Sequence, residues 1–300
     1  MTLKAQGLNT GDGIGVMAPA GPVFPEAVRK GMELLESRGF RVHPAPHLFD
    51  RKGYLAGEDD VRARDLLDLF EDPSVKAILC ARGGYGTLRI LDKIDYGLIS
   101  RNPKILVGYS DITALLLALY EKTGLVTFHG PMVTDLGRKA ARNLDGLLSL
   151  LSSHESFPPV RLKGPVIRPG KTKGVLLGGN LALLCHMVGT PFMPTLDGAV
   201  LFLEETGEAP YRIDRMITQL KLGGYLEGLS GLLLGEFSNC GSAETLFGIF
   251  RDTFSDHRIP IIAGLPVGHG LENILLPVGI EVALDTEKKT LRLLESGILS

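Results

Sequence analysis

Five short apolar runs punctuate the first half of this 300-residue chain: Gly13–Ala18, Arg41–Pro44, Val75–Cys80, Ile105–Gly108 and Val126–His129. Between them lie stretches with helical signatures. Pro25–Arg38 has proline in its first turn and Gly39 after its end, and Asp59–Glu71 spaces Val61, Leu66, Leu67 and Phe70 before Pro73. A further helix is expected from about Thr87, and another over Ile112–Lys122, closed by Gly124. Strands of this length separated by helices call for right-handed crossovers, which make a parallel sheet covered on both faces. Ligands of such sheets bind beyond the carboxyl ends of the strands. Two segments fall on that rim: the loop Ala81-Arg-Gly-Gly-Tyr-Gly86 and the turn Gly108-Tyr-Ser-Asp111.

The composition changes over His154–Lys173, where Pro158, Pro159, Pro165 and Pro169 stand among basic residues. The expected organisation is therefore an α/β, Rossmann-like domain over 1–155, a linker over 156–172 and a mixed α/β domain over 173–300. In the second domain strands are expected at Gly174–Leu177, Ala199–Glu204, Leu232–Gly235 and Pro260–Ala263, and helices at Leu181–Val188, Tyr211–Leu222 and Ala243–Phe254. A hairpin is expected over Gly279–Leu294, around Asp285-Thr-Glu-Lys-Lys-Thr290. The 38 glycines sit between apolar runs, so they mark tight turns and backbone-lined sites rather than disorder.

Charge and cysteine usage narrow the classes of function. A net charge of −2 gives no electrostatic case for a nucleic-acid or anionic-membrane partner. No apolar run approaches the roughly 20 residues that span a bilayer, and no basic leader with an apolar core opens the chain. The three cysteines form no metal-like pair; Cys80 and Cys185 lie in apolar runs and read as buried thiols, and Cys240 lies in a polar loop. No metal or other cofactor is expected, and a reducing, cytoplasmic setting is.

Chemistry is concentrated in a few residues. Ser110, lifted from the end of a strand at the start of a helix, suits a nucleophile, although serine is also a common helix cap. His269 stands between Gly268 and Gly270, where flexible backbone can carry an imidazole into a cleft. Glu204 ends an apolar strand and needs a donor partner. Glu205 and Glu208 are its neighbours, and periodicity does not choose among the three. Backbone N–H groups of Asp111 and of Gly84, or of its neighbour Gly83, could receive an oxyanion. Arg82, Gly83 and Tyr85 are candidate substrate contacts, the arginine suiting a carboxylate or phosphate. A serine, a carboxylate and a histidine contributed by two domains would place the active site in their interface.

Taken together, Arg82-Gly-Gly-Tyr-Gly86, Gly108-Tyr-Ser-Asp111, Phe128-His-Gly-Pro-Met132, Gly178-Gly-Asn180, Leu203-Glu204, Tyr211-Arg-Ile-Asp-Arg215 and Gly268-His269 resemble the L,D-carboxypeptidase (muramoyltetrapeptide carboxypeptidase) family. That family also contains the microcin C immunity proteins. The resemblance runs from Ala18-Pro19 to the final hairpin. It implies a Ser110–His269–Glu204 triad, choosing Glu204 over Glu205, and a cytoplasmic homodimer without metal. It also implies hydrolysis of murein tetrapeptides, with release of terminal D-alanine during wall recycling. The alternative within the family is hydrolysis of peptidyl- or acyl-adenylate (sulfamoyl) antibiotics; those proteins tend to be longer and carry an aromatic that stacks on adenine, whereas this chain has no tryptophan. A remoter alternative is a nucleotide kinase. Gly83-Gly-Tyr-Gly-Thr87 differs from a Gly-Gly-Asp-Gly-Thr loop only at Tyr85, which cannot help hold magnesium. Ala18-Pro-Ala20 departs from the Ala-Pro-Ser of many relatives, and Tyr109 stands where some carry histidine.

Overall fold

A computed structural model of the chain describes residues 2–138, 142–152 and 158–299. It separates into two compact units, one comprising residues 1–155, 274–278 and 297–300, the other 156–273 and 279–296. The stretch 156–172 is not a bare connector. Residues 156 and 157 lie outside the described residues, and residues 158–172 contain two short strands and the start of a third.

The first unit carries a six-stranded sheet. Its strands are β1 (Gly13–Met17), β2 (Arg41–Pro44), β3 (Val75–Cys80), β4 (Ile105–Gly108), β5 (Thr127–His129) and, from late in the chain, β12 (Leu276–Val278). Their order is β12-β5-β4-β3-β1-β2; β12 alone pairs antiparallel, against β5. The 2-1-3-4-5 order of the parallel strands places a topological switch between β1 and β3. The loops leaving β1 and β3 meet there, and Gly21 N–H donates to the Gly83 carbonyl at 3.1 Å. β12 escapes a sequence reading because it is three residues long and contains Pro277, which a sheet accepts at an edge.

Helices cover this sheet. α1 (Pro25–Ser37) and α2 (Asp59–Glu71) follow β1 and β2; α3 (Tyr96–Arg101) and α4 (Thr113–Thr123) flank β4. α4 is apolar all round and buried from Thr113 to Leu119, as expected of a helix enclosed by the core. The expected helix from Thr87 is a 3-10 segment, Thr87–Lys93. The core face of α2 differs from the one its apolar spacing suggests. Of the expected positions Leu66 and Phe70 are buried but Val61 and Leu67 are only half-buried, and Arg62, Ala63, Asp65 and Leu69 join the buried face. The two charges are tolerated because both find hydrogen-bond partners, although the Nε of Arg62 has none. Asp65 accepts from His47 Nδ1 at 2.9 Å; Arg62 donates to the Pro19 carbonyl, to the Gly86 carbonyl at 3.0 Å and to Asp59. α5 (Val133–Arg138) and α6 (Arg142–Ser152) complete the unit.

The second unit carries an eight-stranded mixed sheet. Its members are β6 (Val160–Arg161), β7 (Val166–Arg168), β8 (Lys171–Asn180), β9 (Ala199–Thr206), β10 (Gly231–Ser238), β11 (Ile261–Ala263), β13 (Glu281–Asp285) and β14 (Thr290–Leu293). The order is β6-β14-β13-β8-β9-β10-β11-β7, with the four strands β8 to β11 parallel and the remainder antiparallel. Helices α7 (Leu181–Met187), α8 (Pro210–Leu222) and α9 (Ala243–Thr253) connect the parallel strands. β9 is buried on both faces from Ala199 to Glu205, and β13–β14 form the expected hairpin.

One buried charge in the first unit makes its stability depend on pH. Lys104, just before β4, is 6% exposed and donates to the Asp72 carbonyl. Burial pulls its ammonium down to about 8, with Lys76 adding to the shift and Asp72 opposing it. Below that pH the folded state bears the cost of a buried cation. Between about 8 and the ordinary 10.5 the native lysine releases its proton while the unfolded chain keeps it, so stability rises with pH. Urea unfolding of the wild type and Lys104→Met at pH 7.5 and 9.5 checks this: the wild type should gain on the variant at the higher pH.

Candidate active site

In the first unit the site begins with a conformation that glycine usually supplies. Ser110 has φ 63°, in the left-handed region. It opens a 3-10 turn over Ser110–Ile112, and α4 starts only at Thr113, so the serine is not the cap of the long helix. Its neighbours explain why the strained backbone persists. Tyr109 is buried, with its hydroxyl 3.4 Å from Asp135 Oδ1 and its ring edge-to-face with His129 at 5.8 Å. On the other side, Asp111 Oδ2 accepts from both the backbone N–H and the hydroxyl of Thr87, each at 2.8 Å. Burial pushes the Asp111 carboxyl above the usual range, and the Thr87 hydrogen bonds pull it back. Anchored residues on both sides over-determine a conformation that costs of order 1–3 kcal/mol.

The glycine loop after β3 lies directly against this turn. A methyl group at Gly83 would stand 3.0 Å from Ser110 Cβ and 3.1 Å from its Oγ, so any side chain there would crowd the serine. Gly84 and Gly86 have φ of 116° and 136°. Arg62 supports the loop from beneath through the Gly86 carbonyl, and through Pro19 it holds the loop after β1 as well. Arg82 donates to the Pro22 carbonyl at 2.7 Å and lies over the Phe24 ring; Tyr85 is exposed and meets Tyr54 edge-to-face at 5.5 Å. The structure thus brings Ser110, Gly83 and the Gly84–Thr87 segment together. Sequence reasoning missed Arg62; its only signal was an arginine at core spacing in α2.

In the second unit β9 delivers Glu204, fully buried, and the turn after β11 delivers His269. His269 Nδ1 is 2.7 Å from Glu204 Oε2. With Nδ1 turned to the carboxylate, the ring's other nitrogen, Nε2, faces away from it. The approach depends on Gly268, whose φ is 119° and whose missing Cβ would fall 2.9 Å from Glu204 Oε2. Gly268 N–H is held by the buried Asn273 at 3.1 Å. The three acids that periodicity left open have different partners. Glu205 points the other way along β9, where Asn180, Ala182 N–H and Thr206 N–H supply donors at 2.8–3.0 Å. Burial raises the Glu205 carboxyl, and those donors oppose the rise. Glu208 is 3.4 Å from Arg212. Ser110 belongs to one unit and the Glu204–His269 pair to the other.

No group of His, Cys, Asp and Glu capable of holding a metal occurs among the described residues. The three cysteines, including Cys240, are buried and free. No helix among the described residues is long and apolar enough to cross a membrane.

Comparison with known proteins agrees with this arrangement of strands and loops. Residues 14–130 match the LD-carboxypeptidase N-terminal domain, and residues 173–284 match the LD-carboxypeptidase C-terminal domain of peptidase family S66. The chain belongs to the LD-carboxypeptidase family. It is 41% identical to a probable murein peptide carboxypeptidase of Bacillus subtilis, over 99% of this chain and 96% of the relative. The solved muramoyltetrapeptide carboxypeptidase of Oxalobacter formigenes has a TM-score of 0.83 at 33% identity, covering 94% of this chain and 97% of that one. The microcin C7 self-immunity protein MccF of Escherichia coli is 28% identical over 98% of this chain and 96% of its own. A solved MccF complex with glutamyl sulfamoyl guanosine has a TM-score of 0.92 at 25% identity, covering 99% and 100%.

Substitutions at two positions test the backbone geometry directly. Ser110→Gly should be more stable than Ser110→Ala by about 1 kcal/mol, because alanine inherits the left-handed strain and glycine does not. Gly268→Ala should lower the thermal midpoint, since its methyl group meets the buried carboxylate. Calorimetry on the three variants reads both effects; equal midpoints for Ser110→Gly and Ser110→Ala would contradict a strained serine.

Proposed function

We propose that this chain is a serine-type L,D-carboxypeptidase that removes the terminal D-alanine from murein tetrapeptides. The observation that carries the reading is the Glu204–His269 hydrogen bond of 2.7 Å, which leaves Nε2 as a base. The strained Ser110 packed under the glycine loop supports it.

In this reading Ser110 and the Glu204–His269 pair act on one scissile carbonyl. Ser110 Oγ attacks the carbonyl carbon as His269 Nε2 takes its proton, and Glu204 offsets the charge of the imidazolium. Backbone N–H groups of Gly84 and Asp111 receive the oxygen as it becomes negative. Collapse of the tetrahedral intermediate expels the amine of D-alanine, which takes the proton from Nε2. Water then attacks the acyl-enzyme with His269 again as base, releasing the tripeptide and restoring the serine. The pair has its proton transfers arranged without a metal ion or other cofactor, and we place the enzyme in the cytoplasm as a homodimer.

A second reading, hydrolysis of an acyl-sulfamoyl or peptidyl adenylate, draws on the similarity to MccF. The carboxypeptidase is favoured by the higher identity to the Bacillus subtilis relative and by the lack of a tryptophan that could stack on a nucleobase. One experiment separates the two. Purified protein is incubated with a murein tetrapeptide and, separately, with an aminoacyl sulfamoyl adenosine, and the products are followed by mass spectrometry. The expected result is D-alanine release, reduced at least about 1,000-fold in Ser110→Ala and His269→Ala. Cleavage of the adenylate alone would favour the second reading; tetrapeptide cleavage undiminished in Ser110→Ala would overturn the serine mechanism.

A further inference from the structure

Around the loop after β2, almost every cation has an acid beside it. Lys52 pairs with Glu58, Arg62 and Arg89 with Asp59, and Lys93 with Asp60. Arg51 and Arg82 are the exceptions: neither has a carboxylate partner among the described residues. Arg51 makes one long contact, from Nε to the Gly53 carbonyl at 3.4 Å, and Arg82 makes one hydrogen bond, to the Pro22 carbonyl. Each guanidinium has five N–H donors, so most of their capacity is unspent. Both line one cleft of about 370 Å³, with Gly21, Gly84, Tyr54 and Tyr85 among its other walls.

The position of the cleft is informative. Gly84 forms part of its wall, and the adjacent Gly83 touches the Ser110 side chain, so the cleft opens beside the turn that carries the serine. Tyr54 and Tyr85 are 67% and 49% exposed and are packed against each other rather than into the core. Two aromatic rings with hydroxyl tips and two guanidinium forks suit a short chain bearing a carboxylate: the rings cover its aliphatic part and the forks bind the anion. The chain as a whole carries a net charge of −2, so this is a local arrangement and not a general basic surface.

We infer that this cleft is a carboxylate-reading subsite, in which Arg51, backed by Arg82 and walled by Tyr54 and Tyr85, selects acidic peptides. The inference rests on the carboxypeptidase reading and deepens it. A murein tetrapeptide offers two sources of the anion, its terminal carboxylate and the carboxylates along its length, and the test distinguishes them.

The wild type, Arg51→Ala and Arg51→Lys are assayed with a murein tetrapeptide, with its C-terminal carboxamide and with its side-chain carboxamide. The same peptides are titrated calorimetrically into the corresponding proteins carrying Ser110→Ala. Arg51 is exposed, so its replacement should leave the thermal midpoint in place. The expected result for Arg51→Ala is a rise in KM and in Kd of roughly 10- to 100-fold, with kcat changed only a few-fold and partial recovery in Arg51→Lys. The amide that the wild type rejects, and that Arg51→Ala no longer distinguishes from the acid, identifies which carboxylate is read. Unchanged Kd in Arg51→Ala, or equal discrimination between acid and amides with and without Arg51, would overturn the subsite. Titration needs no turnover. Failure of all cleavage with acid-selective binding intact would therefore count against the carboxypeptidase and not against the subsite.

Discussion

The close approach of Gly83 to Ser110 is the constraint on which the first unit's chemistry depends. A strand-end loop and a strand-end turn share one small volume more easily when one of them has no side chain and the other bends in an unusual way. Gly83 meets the first condition, and the 63° φ of Ser110 meets the second. The energy stored there is held by ordinary interactions nearby: the Tyr109 ring against His129 and the Asp111 carboxylate on Thr87. Strain at a functional position persists when the flanking residues leave it no alternative.

A similar logic operates in the second unit through a different residue type. Glu204 is fully buried two residues before the end of β9, where an unpartnered carboxylate would be expensive. Its partner is an imidazole, which comes within hydrogen-bonding distance because Gly268 takes a positive φ and leaves no methyl group in the way. The neighbouring Glu205, buried almost as deeply, is committed to the turn leading into α7. Two adjacent acids thus have separate duties because successive side chains of a strand face opposite ways.

Much of the fold was legible in the chain. The strand-helix alternation of the first half, the strands β8 to β11 with their helices, and the hairpin at Asp285–Thr290 follow from apolar run length, proline and glycine punctuation and period-2 patterning. The misread parts have physical reasons. β6 and β7 are two and three residues long, too short for periodicity to register, so their proline-rich surroundings suggested a linker. The buried face of α2 was misjudged because hydrophobic spacing cannot anticipate a buried Arg62 whose partners are carbonyls 24 and 43 residues away.

For the candidate site the division is similar. By itself the sequence determined which residue types were available, that Ser110 and the glycine loop would leave the same edge of one sheet, and, through its motifs, the family. Spacing left Glu204, Glu205 and Glu208 open until the family resemblance chose Glu204, and nothing in the chain showed that Ser110 is strained or that two arginines stand without acids beside the glycine loop. Those outcomes belong to the tertiary structure, because each depends on distances between residues remote along the chain and on which of several possible partners burial finally brings within reach.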